Sequence, residues 1–328
     1  MPGSFDKHLL TIFAVICVIL IAGEVLSSLN VSHGYSSEIT ETDDGISYRV
    51  GGGSSAEYNI VFLENTTSVN KVYLYFDAQY GSIYNDMEGY IKHLSNRLSD
   101  RGFDYEVIDT AGLKRILSES PLGVGLVMGS GAIPEDVADG TLLEWVKSGG
   151  TLYWTFHCIG MFGARSDGTV YQFERSYQSD FLGSECTSLE EITASDYESE
   201  SGYTKALNLT TINLYGGLVS SAVANPHMSV GFTEAGIYCT TLVSCGAGTV
   251  VVVSGVHEMY QKTDLVQLIC SGISVDSKLI DCTTVKTNAG NTVEGEIHFT
   301  KIPGKQYVVY IYTSGINPAY GRTVWVMP

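Results

Sequence analysis

The chain has 328 residues, 44% of them hydrophobic, which is enough for a large core and for more than one structural unit. Its 36 acidic residues outnumber 18 Lys and Arg, giving a formal net charge of -18 that repels a phosphate backbone and sets nucleic acid aside as a partner. Charged residues make up only 16% while Tyr reaches 21 and Gly 36, a polar but uncharged balance that is common in exported proteins.

The first element is LLTIFAVICVILIAG, Leu9 to Gly23, unbroken by charge and preceded by Lys7 and His8. With EVLSSL it extends to Leu29, close to the ~20 residues that span a bilayer. Residues 1–29 are therefore expected to form an N-terminal signal anchor, a transmembrane helix retained because no small-x-small cleavage site follows. Lys7 lies before the span and no Lys or Arg follows until Arg49. The positive-inside rule then predicts a single-pass protein of the cell membrane, partnered with the bilayer through this helix, with residues 30–328 outside the cytoplasm. Sequons at Asn30, Asn65 and Asn208 are glycosylation candidates of such a glycoprotein. Cys158, Cys186, Cys239, Cys245, Cys270 and Cys282 lie beyond the span, an even set that permits disulfides in an extracellular domain.

Residues 30–44 are polar and acidic without an apolar period, and predict a tether. ISYRV (46–50) and YNIVFLE (58–64) predict two strands around a Gly/Ser turn. From Lys71, strand alternates with helix. KVYLYFDA (71–78) precedes a helix over about 84–100, on which Met87, Tyr90, Ile91, Leu94 and Leu98 share one face. DYEVID (104–109) is a second strand, LKRIL (113–117) a short helix and GVGLVMG (123–129) a third strand. Pro134 opens a helix that Gly149 and Gly150 close, and TLYWTFH (151–157) is a fourth strand. This alternation predicts an α/β fold, a mostly parallel sheet with helices on both faces. Residues 164–235 are acidic and rich in Ser and Tyr, with few core positions, and are assigned as an insertion. Two strands about Cys245 to Gly248 and a helix over about 259–273 follow, then KLIDCTTVKT, TVEGEIHFT, KQYVVYIYTS and RTVWVM. The predicted division is an α/β domain over 45–276 that includes strands 46–64, and a small antiparallel β-module over 277–328, which strands 46–64 are also placed to complete.

Reactive groups in such a sheet sit at the carboxyl ends of strands. Gly129-Ser130-Gly131, His157-Cys158-Ile159-Gly160 and His257-Glu258 fall there. A cysteine on a strand-to-helix elbow is exposed, with its pKa lowered by the helix N-terminus. A histidine from a neighbouring strand end takes its proton, and backbone N–H groups hold an oxyanion. The other reading of Cys158 is half of a disulfide, with Cys186 as one partner, or a buried thiol. Cys239 and Cys245 flank a glycine-rich turn and read as a hairpin disulfide or core thiols. Asp77, at a strand end, reads as a cap or turn acid. No close Cys-x-x-Cys supports a metal, and no cofactor is expected.

LLEWVKSGGTLYWTFHCIGMFG followed by GTVVVVSGVHE resembles the class I glutamine amidotransferase-like superfamily over about 71–273, and within it the biotin protein ligase N-terminal-like branch. The resemblance implies Cys158 as nucleophile, His257 with Glu258 as the base side, and Gly129, Ser130 and Gly131 as the oxyanion side. Two departures stand out. Phe156 occupies the position where the family places Gly, and Glu258 follows His257 directly rather than at the second position. The sequence thus predicts a divergent member with a non-catalytic binding role at the cell surface, its protein or small-molecule partner unspecified. The alternative is a Cys-dependent hydrolase or amidotransferase using Cys158 and His257.

Overall fold

The computed structural model describes residues 34–66, 69–83, 85–155, 158–188, 197–198, 202–209, 216–233, 237–253, 263–314 and 319–327. The described residues begin with three strands, β1 (Tyr35–Thr42), β2 (Gly45–Gly52) and β3 (Ala56–Glu64). An alternating section follows: β4 (Lys71–Tyr75), α1 (Met87–Asp100), β5 (Asp104–Ile108), α2 (Thr110–Leu117) and β6 (Val124–Met128). Next come β7 (Ile133–Pro134), α3 (Thr141–Lys147), β8 (Thr151–Trp154), β9 (Phe162–Ala164), β10 (Val170–Gln172) and α4 (Gln178–Leu182). The section expected as an insertion continues with β11 (Thr187–Ser188), β12 (Tyr197–Glu198), α5 (Tyr203–Ala206), β13 (Gly217–Val219) and β14 (His227–Thr233). The chain closes with β15 (Ile237–Cys245), β16 (Gly248–Val253), α6 (Thr263–Ser271), β17 (Lys278–Thr287), β18 (Thr292–His298), β19 (Gln306–Thr313) and β20 (Tyr320–Val326).

The expected fold class needs correction: the chain is mostly β, and its sheets are mixed or antiparallel. Only part of the central ten-stranded sheet is parallel, in the order β5-β4-β6-β8-β16. β15 then pairs antiparallel with β16, and β13 and β14 pair antiparallel with β15. These added strands come from the stretch assigned as an insertion, which also contributes core. Phe181, Leu182 and Leu218 pack on one face of the sheet, and Tyr203, Leu207 and Val230 on the other. Their apolar residues are scattered among Ser, Thr and acids, so no periodic run announces them.

β1-β2-β18 and β17-β3-β19-β20 form two further antiparallel sheets. Strands 46–64 therefore join the C-terminal strands rather than the α/β section. Tyr35 to Thr42, expected as part of a tether, pairs along its length with β2. The second of these sheets is covered on both sides. Tyr58, Ile60, Phe62, Tyr307, Val309 and Ile311 face the first sheet, while Val61, Leu63, Val308, Tyr310 and Tyr312 face the α/β section, where they share a core with α1 and α6. This explains why QYVVYIYT is apolar at successive positions instead of alternating, since a strand buried on both faces needs apolar side chains on both.

α1 buries the five residues the periodicity selects, Met87, Tyr90, Ile91, Leu94 and Leu98. The helix expected from Pro134 is instead a 3-10 turn at Glu135–Val137 and, separately, α3. Asp139 starts α3 by accepting the Thr141 N–H at 3.0 Å.

The anchor expected over Leu9 to Leu29 lies outside the described residues, as does Asn30. Among the described residues no helix is long and apolar enough to cross a membrane. The membrane partner, the single-pass location and the membrane keywords are corrected accordingly and drop out of the account.

Candidate functional site

In a doubly wound sheet, ligands sit beyond the carboxyl ends of the strands, where the strand order reverses. Here the chain passes from β4 outward to β5 and then returns to β6 on the other side of β4. A cleft of about 400 Å³ opens at that point, lined among others by Tyr75, Asp77, Tyr80, Asn85, Glu88 and Ser130. A recess of about 500 Å³ on the outer face of β1-β2-β18 is lined by Glu38, Thr40, Ser47, Arg49, Glu294 and Glu296, and Arg49 pairs there with Glu294 at 3.3 Å. It is an ordinary solvated sheet face.

Asp77 leaves β4 at the centre of the cleft. Its Oδ1 accepts the Gln79 N–H at 3.0 Å and its Oδ2 accepts the Thr110 N–H at 3.1 Å. It is thus the turn acid and cap that its position predicts, tying the β4 loop to the start of α2. Burial pushes its pKa up, but the N–H groups of Gln79 and Thr110 and the Thr110 hydroxyl outweigh that and hold the carboxyl below its ordinary value. Asp109 caps α2 through the Gly112 N–H at 2.8 Å, and Asp86 caps α1 through the Gly89 N–H at 2.9 Å. On the rim, the Tyr80 hydroxyl donates to Asp136 Oδ1 at 2.7 Å, and Lys114 pairs with the same carboxylate. Burial first, and then the Asp136 carboxylate, raise the Tyr80 pKa to about 12. The Tyr75 hydroxyl meets Thr110 Oγ1 at 3.1 Å.

Gly129, Ser130 and Gly131 do border this cleft, through Ser130. The Ser130 carbonyl accepts the Ile83 N–H at 2.9 Å and the Ser82 hydroxyl at 3.2 Å, and its own hydroxyl donates to Ala132 O at 2.9 Å. At Gly129 a Cβ would stand 2.5 Å from the Tyr90 ring, so only glycine lets α1 lie this close to the strand end. The loop fastens α1 and the β4 loop to β6.

Cys158 does not line this cleft, and the described residues that follow it form a turn and then β9 rather than the helix of an elbow. After β8 the chain turns at Ile159 and Gly160, with the Met161 N–H donating to Cys158 O at 3.1 Å, and continues into β9. β9 pairs antiparallel with β10, closed by a turn in which Asp167 Oδ1 accepts the Thr169 N–H at 2.9 Å and Gly168 takes a φ of 86°. Asp-Gly is a hairpin signal, and here it overrides the helix expected beyond the cysteine. Cys158 is 3% exposed, and burial pushes its thiol up to about 12, opposite to what an activated nucleophile needs. His257 and Glu258 lie outside the described residues, as do Phe156 and His157.

The expected disulfides are corrected as well: Cys158, Cys186, Cys245, Cys270 and Cys282 are free thiols. Cys186 and Cys245 are buried in the core under α3 and α4, each with its pKa raised to about 11 by burial. Asn65 donates from its side chain to Asp276 O at 3.3 Å, and Asn208 is exposed at the end of α5. Among the described residues no three His, Cys, Asp or Glu side chains gather as a metal site. The carboxylates of the cleft, Asp77, Asp86 and Glu88, were missed as a group. Asp86 and Glu88 stand together at the start of α1, and only the turn from β4 into α1 brings Asp77 to the same cleft.

No family model and no curated protein matches the chain. Among solved structures, it is similar to a GH42 β-galactosidase from G. stearothermophilus at 13% identity, over 78% of this chain and 39% of that one, with a TM-score of 0.41. A β-galactosidase from Bacillus circulans sp. alkalophilus gives 11% identity over 80% and 41%, with a TM-score of 0.39. A cytoplasmic protein from Salmonella typhimurium LT2 gives 8% identity over 61% of this chain and 96% of that one, with a TM-score of 0.38. The chain thus spans about two fifths of the length of the galactosidases it matches. No family model joins the chain to the amidotransferase superfamily, and the β9–β10 hairpin after Cys158 replaces the elbow on which the resemblance rested, so that resemblance is corrected.

Proposed function

We propose that this chain is a non-catalytic binding protein whose ligand is a small organic cation, held in the cleft where the strand order reverses. The observation that carries this reading is the state of the two helix N-termini at the cleft. Such ends attract phosphate and other anions through their unpaired N–H groups. Here Asp86 occupies the start of α1, and Asp77 and Asp109 occupy that of α2, so an anion would meet carboxylates in place of free N–H groups. An ammonium group suits the same surroundings. Asp77, Asp86 and Glu88 offer charge, Asn85 offers an amide, and Tyr80 offers ring surface for a cation. The non-catalytic part of the reading is supported by Cys158, a buried and protonated thiol away from the cleft.

A thermal-shift panel tests the proposal. Amino sugars, choline and linear polyamines should raise the melting temperature of the full chain, and inorganic phosphate and nucleotides should not. Glu88→Gln should weaken the best cation about two- to fivefold, the effect of one exposed charge pair. Stabilisation by phosphate compounds, or by no cation, would refute it.

A further inference from the structure

Charged side chains taken out of water are normally paired. Arg49, Arg115, Arg165 and Arg175 obey this at the surface, each with a carboxylate. Among the described residues, Arg101 and Arg322 find no such carboxylate. Arg101, at the end of α1, is 6% exposed, and its Nη1 is buried without an acceptor. Arg322, on β20, donates from Nη1 to Val69 O at 2.6 Å, while its Nε and Nη2 are buried without acceptors. Both sit where the β17-β3-β19-β20 sheet meets the α/β section.

The surroundings supply rings rather than acids. Arg101 lies over the Tyr312 ring at 5.8 Å and Arg322 over the Phe103 ring at 5.6 Å. Tyr310 stacks on Tyr312 at 5.1 Å, stands opposite Arg322 in the strand register, and has a buried hydroxyl without a partner. Cys270, in the last turn of α6, is close enough to feel both arginines, yet burial pushes its thiol up to about 12, so it stays neutral. Tyr310 and Tyr320 are likewise held protonated by burial. Two positive charges and several free donors therefore converge with no negative charge from the described residues to meet them.

We propose that Arg101 and Arg322, with the Tyr310 hydroxyl, bind a small inorganic anion of the halide class at the junction between the β-sheets and the α/β section. The anion gives both guanidinium groups a counter-charge and accepts the orphaned N–H and O–H donors. The site lies beside Val69, at the amino end of β4, and so at the opposite end of the strand from the cleft. It serves assembly of the two sections and takes no part in the cleft.

The test compares melting of the full chain in sodium chloride, sodium bromide and sodium gluconate at constant ionic strength. Chloride and bromide should raise the melting temperature by about 2 °C for each tenfold rise above the dissociation constant, and gluconate should not. Arg101→Gln and Arg322→Gln should each abolish the halide dependence. A crystal grown in bromide and measured at the bromine edge decides the matter even where a variant fails to fold. The anomalous peak is expected within hydrogen-bond reach of both guanidinium groups. Halide dependence that survives both substitutions, or a crystal with bromide only elsewhere on the surface, would overturn the proposal.

Discussion

Asp77 is the residue on which the cleft is organised, since one carboxylate holds the β4 loop through Gln79 and the first turn of α2 through Thr110. Its folded pKa is held below the ordinary value, so the carboxylate contributes stability above about pH 4, where the unfolded group is already ionised. That contribution disappears as the pH falls through the lower, folded value. Asp77→Asn is expected to cost about 1 kcal/mol between pH 5 and 8, and the gap from the unsubstituted chain should close below about pH 4, measured by urea unfolding across pH. A gap that widens in acid would contradict the assignment. Asp77 was legible in the sequence because an acid at a strand end has few roles, whereas Cys158 was misleading. A strand ending on His-Cys with Gly two residues on fits an elbow, but the decisive signal is Asp167-Gly168, which turns the chain into a hairpin. Burial of Cys158 depends on packing from distant elements and leaves no local mark.

Among the elements, β19 carries the most structural weight because it is covered on both faces. Val309 packs toward the sheet of β1, β2 and β18, and Val308 toward the α/β section, both with no exposed surface. Val309→Asp should lower unfolding stability by about 3 kcal/mol or more, as an unpaired charge there reaches neither water nor a partner. A shift in the urea midpoint no larger than that of a surface substitution would show that this layer is not closed. Long apolar runs such as this, and the amphipathic period of α1, were plain in the sequence. β1 and β13 were not. β1 is polar at most positions and β13 is only three residues long, so both are held by pairing with β2 and β15, and a ladder of backbone hydrogen bonds is indifferent to side-chain pattern.

At the scale of the whole molecule, the antiparallel sheets and the α/β section divide the work. The β-sheets close over one face of the α/β section near the amino end of β4, and the cleft opens at the carboxyl ends, away from that junction. The net charge of -18 points the same way as the cleft, because an acidic chain draws cations toward it and holds anions off. The parallel order β5-β4-β6-β8-β16 fixes where the cleft must lie, and the carboxylates at its helix ends fix the sign of what it admits. The most direct measurement is a crystal of the full chain soaked with the most stabilising organic cation. The account predicts density for the ligand between Tyr80 and Glu88, with its ammonium group within hydrogen-bond reach of Asp77, Asp86 or Glu88. A ligand found on the outer face of β1-β2-β18, or bonded to Cys158, would contradict it.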